Sequence, residues 1–250
     1  MKKVVLIIQA RMGSKRLPGK SMMPLYGEPL IYRLIERVKR CTLVDEIVLA
    51  IPKTKEDNIL IPIAKRAGIR LFRGSENNLV DRYFNASLAS KADIICRLPA
   101  DNPVPEFSEI DRIIDFHISK NDHLAFSTNL SEIEGSGYPD GIGVEVFNIE
   151  LLEEIYNNMD NLSNLEKEHL HLNFYDYDKQ TKTSKSACNV YTITCPKGFR
   201  RPDLVLDVNT QDEYLFMRNL YNYLYPKNIN FSILDIINWY DNVYKKSNIV

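Results

Sequence analysis

Residues 3–20 read KVVLIIQARMGSKRLPGK, and the fold is decided within them. Val4 to Ile8 is a run of five apolar, mostly β-branched residues. It is too short to span a membrane and is patterned as a strand buried on both faces. The next twelve residues, Gln9 to Lys20, hold four cations (Arg11, Lys15, Arg16, Lys20), two glycines and no acid. In open α/β sheets, ligands bind in the crevice outside the carboxyl ends of the strands. Backbone N–H groups of a small-residue turn, ringed by cations, form a concavity suited to a polyphosphate. The stretch therefore predicts a central strand followed by a loop that grips a nucleoside triphosphate. The bland counterpart is a solvated basic loop.

Two common phosphate motifs do not fit. Gly19-Lys20-Ser21 ends like a Walker P-loop, but that motif has four residues between its glycines, and here Ser14 to Pro18 are five. A P-loop lysine also opens a helix, whereas Pro24, Gly27 and Pro29 follow and would break one. The helix is expected to begin near Pro29, with proline in its first turn. No GxGxxG dinucleotide fingerprint is present.

Working outward, 250 residues suffice for a large core and a single domain. Hydrophobic content of 44% and charged content of 26% are ordinary for a globular protein. A net charge of −1 gives no global basic field for nucleic acid. The four cysteines (Cys41, Cys96, Cys188, Cys195) show no CxxC spacing and read as reduced thiols. No apolar run is long enough for a signal peptide or a spanning helix. The expectation is a cytoplasmic protein with no membrane and no nucleic-acid partner.

Pro29–Arg40 places Leu30, Ile31, Leu34, Ile35 and Val38 on one helical face. Further strands are expected over 46–51, 69–72, 93–98, 123–127, 144–147, 190–194 and 204–208. Helices are expected over 56–67, 81–91, 106–119, 149–157 (capped by Asn148), 162–172, 210–223 and 232–245. The β-α-β-α-β alternation predicts a three-layer α/β domain with a mostly parallel mixed sheet. It divides into a nucleotide-binding half (1–128), an acceptor and dimerisation half (129–208) and closing helices (209–250). Asp101 lies between Pro99 and Pro103 at the end of the fourth strand, in the same crevice as the basic loop.

With these residues in view, the chain resembles a family. Gln9-Ala10-Arg11-Met12-Gly13-Ser14, Arg16-Leu17-Pro18-Gly19-Lys20 and Gly27-x-Pro29-Leu30 are similar to the opening of the cytidylyltransferases that make CMP-activated ulosonic acids. The likeness is greatest to the branch named for the spore coat polysaccharide biosynthesis protein SpsF, related to CMP-Kdo and CMP-sialic acid synthetases. It continues through Phe72-Arg73-Gly74-Ser75-Glu76, Asp81-Arg82-Tyr83 and Ala100-Asp101-x-Pro103. Tyr138-Pro139-Asp140-Gly141, Val144-Glu145-Val146-Phe147 and Glu166-Lys167-Glu168-His169 extend it along the chain.

The resemblance implies a nucleotide-diphospho-sugar transferase (GT-A-like) fold and a homodimer. It implies transfer of CMP from CTP to an acidic sugar for surface-glycan biosynthesis, with Mg²⁺ as cofactor. It places Arg11, Lys20 and Asp101 in catalysis, and Ala10, Met12, Gly13, Ser14, Arg16, Arg73, Ser75 and Arg82 beside them around the nucleotide. Asp81 and Arg82 also read as a helix-start pair. Tyr138, Asp140, Gly141, Glu145, Glu168 and His169 fall on the acceptor side, where the glycine-rich 135–143 stretch fits a mobile loop.

For the metal, Asp101 matches the family's Gly-Asp-x-Pro with Ala100 replacing glycine; its other reading is a turn aspartate. The family's second metal carboxylate sits in Val-Asp-Thr, which here is Val208-Asn209-Thr210. Asp207, on the same side of an extended chain as Asn209, is the replacement candidate. Asn209 ligating through its carbonyl, or a protein that binds nucleotide without turnover, are the other readings. His169 and His171, two apart, would face different ways on a helix, which argues against a zinc pair.

Overall fold

The computed structural model describes residues 2–183 and 186–247. One seven-stranded sheet organises it: β1 (Val4–Gln9), β2 (Glu46–Pro52), β3 (Arg70–Gly74), β4 (Ile94–Pro99), β5 (Ala125–Thr128), β6 (Glu145–Asn148) and β7 (Asn189–Thr192). Their spatial order is β7-β5-β6-β4-β1-β2-β3. β1 sits between β2 and β4, parallel to both, and Val5 to Ile8 are 0% exposed. β6 is the antiparallel strand, wedged between β4 and β5. The sheet is therefore mixed, and it runs unbroken across residue 128.

Alternate side chains of β1 feed two apolar layers. Val4, Leu6 and Ile8 meet α1 (Leu30–Val38), α2 (Ile61–Ala67) and α4 (Phe107–Lys120). Val5 and Ile7 meet α3 (Leu79–Ser90) and α5 (Ile149–Asn157) on the other face. A third cluster joins α7 (Gln211–Leu224) and α8 (Ile233–Trp239) to Leu17, Leu25 and Leu30, so the closing helices back the basic loop.

Local chemistry sets the boundaries. Asn78 caps α3 by accepting the Asp81 N–H, which moves its start two residues ahead of the expected 81. Thr210 and Glu213 form a capping box on α7. The expected 56–67 helix is divided: a 3₁₀ turn, Glu56–Leu60, precedes α2, where Pro62 sits in the first turn. The expected 162–172 helix is broken at His169, leaving α6 (Asn164–Glu168) and a 3₁₀ turn, Leu170–Asn173. The last helix passes through a π segment, Tyr240–Tyr244.

Two further expectations are corrected. Residues 204–208 are no sheet strand: they form a single bridge, Asp140 to Val205, and Leu204, Leu206 and Val208 turn into the third cluster. Asn148 stands at the N-cap of α5 but makes no capping bond; its Nδ2 donates to the Asp122 carbonyl instead. Among the described residues, no helix is long and apolar enough to cross a membrane.

Candidate active site

An open cleft of about 790 Å³ lies over the tips of β1 and β4, with the start of β6 at the same edge. Parallel β1 and β4 bring Gln9 opposite Pro99, so the basic loop and the Pro99–Pro103 turn leave the sheet side by side. Lys20 joins them: its Nζ donates to Asp101 Oδ2 (2.9 Å), the Val208 carbonyl (2.7 Å) and Asn209 Oδ1 (3.1 Å). Arg16 donates to the same Asn209 oxygen at 2.7 Å. The Val208 N–H in turn donates to the Asp101 carbonyl at 2.8 Å. The loop, the fourth strand's tip and the 207–209 segment thus meet at one ammonium group.

Asp207 stands beside this node and accepts a hydrogen bond from Asn209 Nδ2. Burial, followed by the negative charges of Asp140, Asp101 and Glu213, pushes its carboxyl up to about 7. Arg11 reaches across the cleft mouth to Glu168, 3.0 Å away. The hydrogen bond from Arg11 is the first cause that holds Glu168 below the usual carboxylate range. Lys15 lines the cleft beside Ser14 and Arg16.

The loop has an inner scaffold. The Met12 carbonyl accepts the N–H groups of Ser14 (3.0 Å) and Gly19 (3.1 Å), and Gly19 takes the left-handed conformation, φ +75°, that the return requires. The Met12 N–H donates to buried Asp57, and its side chain packs on the core. Met12 therefore shapes the loop from behind, and the Ser14 amide is engaged within the loop. Ala10 lines the cleft, its N–H paired with the Ala50 carbonyl. Gly13 faces open space.

At the end of the cleft expected to take the acceptor, the buried pair Arg97–Glu145 bridges β4 and β6. Gln9 accepts from Arg97 Nε at 3.2 Å, and Tyr177 donates to Glu145 at 2.7 Å. Glu132, Asp140, His169, His171 and Asp178 complete this end. Burial lowers His171 to about 4, so its imidazole is neutral near pH 7. The two histidine rings lie 5.8 Å apart where the helix is broken, so helical spacing does not govern them. Among the described residues, no group of three or more His, Cys, Asp or Glu side chains is gathered to hold a metal ion.

Several expected contacts are corrected. Tyr138 is 0% exposed and donates to Glu109 at 2.5 Å, so it belongs to the core and not to an acceptor. Arg73 and Ser75 stay out of the cleft: Arg73 donates to the Thr54 carbonyl, and Ser75 Oγ accepts the Asn78 N–H. Asp81 faces Asn85 in the first turn of α3. Arg82 does line the cleft, buried and donating to the Ser75 and Glu76 carbonyls. Gly141 acts through close approach, since a Cβ there would stand 2.7 Å from the Asp207 nitrogen. Sequence reading missed Gln9, Asp57, Arg97, Glu132, His171, Tyr177 and Asp178. The arginine inside the otherwise apolar β4 and the Thr54-x-x-Asp57 spacing were signals for two of them.

Comparison with known proteins bears on the family and the fold. A cytidylyltransferase family model matches residues 5–236. The chain is 31% identical over 225 residues to the spore coat polysaccharide biosynthesis protein SpsF of Bacillus subtilis, covering 88% of this chain and 87% of that protein. It is 34% identical over 116 residues to a 3-deoxy-manno-octulosonate cytidylyltransferase of Anaeromyxobacter, 46% of this chain and 47% of the relative. A solved cytidylyltransferase from Leptospira borgpetersenii superposes with a TM-score of 0.84 at 27% identity, covering 100% of this chain and 99% of that one.

Proposed function

The chain belongs to the cytidylyltransferase family and has the nucleotide-diphospho-sugar transferase fold, and from that premise we propose that it moves CMP from CTP to an acidic sugar of the ulosonic or nonulosonic type, releasing pyrophosphate, in surface-glycan biosynthesis. The observation that carries the reading is the Lys20 node. It sets a cation against Asp101 and Asn209 at the sheet edge where the triphosphate would lie. An oxygen of the acceptor attacks the α-phosphorus, and the bridging P–O bond to pyrophosphate breaks in line. Lys20, Arg11 and Arg16 offset the charge that accumulates on the departing phosphates.

Mg²⁺ fits the residues present. The cleft lining has eight carboxylates and six lysine or arginine side chains, an excess of negative charge that opposes a triphosphate. Burial first, and then the charges of Asp140, Asp101 and Glu213, raise the Asp207 carboxyl within it. Mg²⁺ is bound by one or two carboxylates together with substrate phosphates, so no preformed cage is needed. Asp101 and Asp207 would hold it, with Asn209 beside them, and it would shield the phosphate oxygens. Arg11, Arg16 and Lys20 are the nucleotide contacts of this proposal, and Asp140, Glu168 and His169 the acceptor contacts. A homodimer in the cytoplasm completes the reading.

A second reading is favoured by the acceptor end. Glu132, Asp140, Glu145, Glu168 and Asp178 line it, and Arg97 is there already held by Glu145. That charge pattern suits an acceptor recognised through amino or hydroxyl groups. Incubation with each of the four nucleoside triphosphates and Mg²⁺, against acidic, neutral and amino-bearing acceptors, tests both by pyrophosphate release. Release only with CTP and an acidic sugar supports the first reading. Turnover restricted to another nucleotide overturns it, and turnover restricted to amino-bearing acceptors selects the second.

A further inference from the structure

Asp57 has no place among the groups that face substrate, yet one of its carboxylate oxygens holds the phosphate-binding loop while the other holds the turn after β2. It is 3% exposed, in the 3₁₀ turn that follows β2. Its Oδ1 accepts the Met12 N–H at 2.7 Å, and its Oδ2 accepts the Thr54 hydroxyl at 2.6 Å. Thr54 is fixed from its far side, where its carbonyl accepts Arg73 Nη2 at 3.1 Å. The Lys53 N–H donates to the Gly74 carbonyl at 3.0 Å, which ties this turn to the end of β3. From Met12 the path continues through its carbonyl to Ser14 and Gly19, and Gly19 delivers Lys20 to Asp101.

A carboxylate buried this far needs hydrogen bonds that satisfy it, and among the described residues no ion pair to Asp57 within 4.0 Å accompanies these. Both of its oxygens are occupied by the two turns it joins. It is the rigid link between the β2–β3 edge and a loop whose cations must stand within a fraction of an ångström of their targets. This also accounts for Arg73, which resembles a nucleotide contact in sequence but acts three hydrogen bonds behind the loop, through Thr54 and Asp57.

We propose that Asp57 is a positioning residue that sets the Met12–Gly19 loop for triphosphate binding, through its paired bonds to the Met12 N–H and the Thr54 hydroxyl. The proposal rests on reading that loop as the triphosphate site. The test is CTP affinity by calorimetry, with thermal stability measured on the same samples. Asp57→Ala is expected to weaken CTP binding at least tenfold. Asp57→Asn restores most of that loss, because its amide oxygen still accepts from Met12 and its nitrogen can donate to Thr54. Leu60→Ala, in the same turn and 0% exposed, is expected to lower the melting temperature while leaving CTP affinity within twofold.

Unchanged CTP affinity in Asp57→Ala, or an equal loss in Leu60→Ala, overturns the proposal. If Asp57→Ala does not fold, Thr54→Val removes the donor to Oδ2; a loss of threefold or more supports the relay, and none overturns it. Lys20→Met separates the two levels of the argument. If Lys20→Met leaves CTP binding intact, the reading of the loop has failed. If it weakens binding while Asp57→Ala does not, the loop stands and only the role of Asp57 is lost.

Discussion

Lys20 has three acceptors within 3.1 Å and a side chain only 11% exposed, so its ammonium is desolvated and aimed before any substrate arrives. Removing one such preorganised cation costs about 3 kcal/mol of transition-state stabilisation. Lys20→Met is therefore expected to lower kcat/KM for CTP by about 10²–10³-fold, with little change in melting temperature, as read by pyrophosphate release and calorimetry. Asp207 gives a second residue-scale test. Its folded pKa, about 7, stands above the ordinary 3.8. Its contribution to stability is thus full below about pH 4 and is lost as pH rises through 7. After discounting for partial exposure, the loss is on the order of 2 kcal/mol. In metal-free buffer the melting temperature should fall between about pH 4 and 7, and Asp207→Asn should flatten that fall. Both side chains were singled out in sequence, Lys20 as the last cation of the basic loop and Asp207 as the carboxylate two residues before Asn209. Tyr138, Arg73 and Ser75 were not, since residue type does not reveal that Glu109, Thr54 and Asn78 stand ready as partners inside the fold.

Elements were legible where periodicity and caps agreed. The all-apolar β1 and the amphipathic α1 both stand as the pattern predicts, because each is decided by its own residues. The 204–208 segment alternates like a strand but pairs through one bridge only. Its shape is set by Gly141, which lets the two backbones approach. A Cβ at position 141 would sit 2.7 Å from the Asp207 nitrogen, at φ +83°. Gly141→Ala should cost about 2–3 kcal/mol, near 5 °C in melting temperature, and should weaken nucleotide binding because the strain lands on Asp207. Packing of α4 on β5 supplies the matching pH test. His117 is 3% exposed, its Nδ1 lies 2.9 Å from Ser127 Oγ, and burial lowers it to about 4. A depressed histidine stabilises the fold above pH 6.5 and loses that contribution as pH falls toward 4. Acid unfolding should accordingly show a loss of about 2–3 kcal/mol between pH 6.5 and 4, read by denaturant titration and absent in His117→Gln.

Across the whole molecule, net charge is close to zero, yet the cleft concentrates more carboxylates than cations, and three of its cations are already held by Glu168, Asp101 and Glu145. Composition did not reveal this, because it averages over a surface that the fold then sorts. Each excess negative charge ~10 Å from a triphosphate carrying about four opposes binding by roughly 1.7 kcal/mol in an open, water-filled cleft with a dielectric near 80. On the proposed reading this excess opposes CTP alone, and a divalent cation at Asp101 and Asp207 would offset it. CTP affinity by calorimetry is expected to fall at least tenfold when millimolar Mg²⁺ is replaced by chelator. Mg²⁺ without nucleotide should change the melting temperature little, since one or two carboxylates bind it weakly until the phosphates add their oxygens. Asp101→Asn should raise the Mg²⁺ concentration needed for half-maximal CTP affinity, because it removes a carboxylate that the proposal assigns to the ion while leaving Lys20 in place. Equal CTP affinity with and without divalent cation would mean that the six basic side chains suffice, and the charge argument for Mg²⁺ would fall with that result.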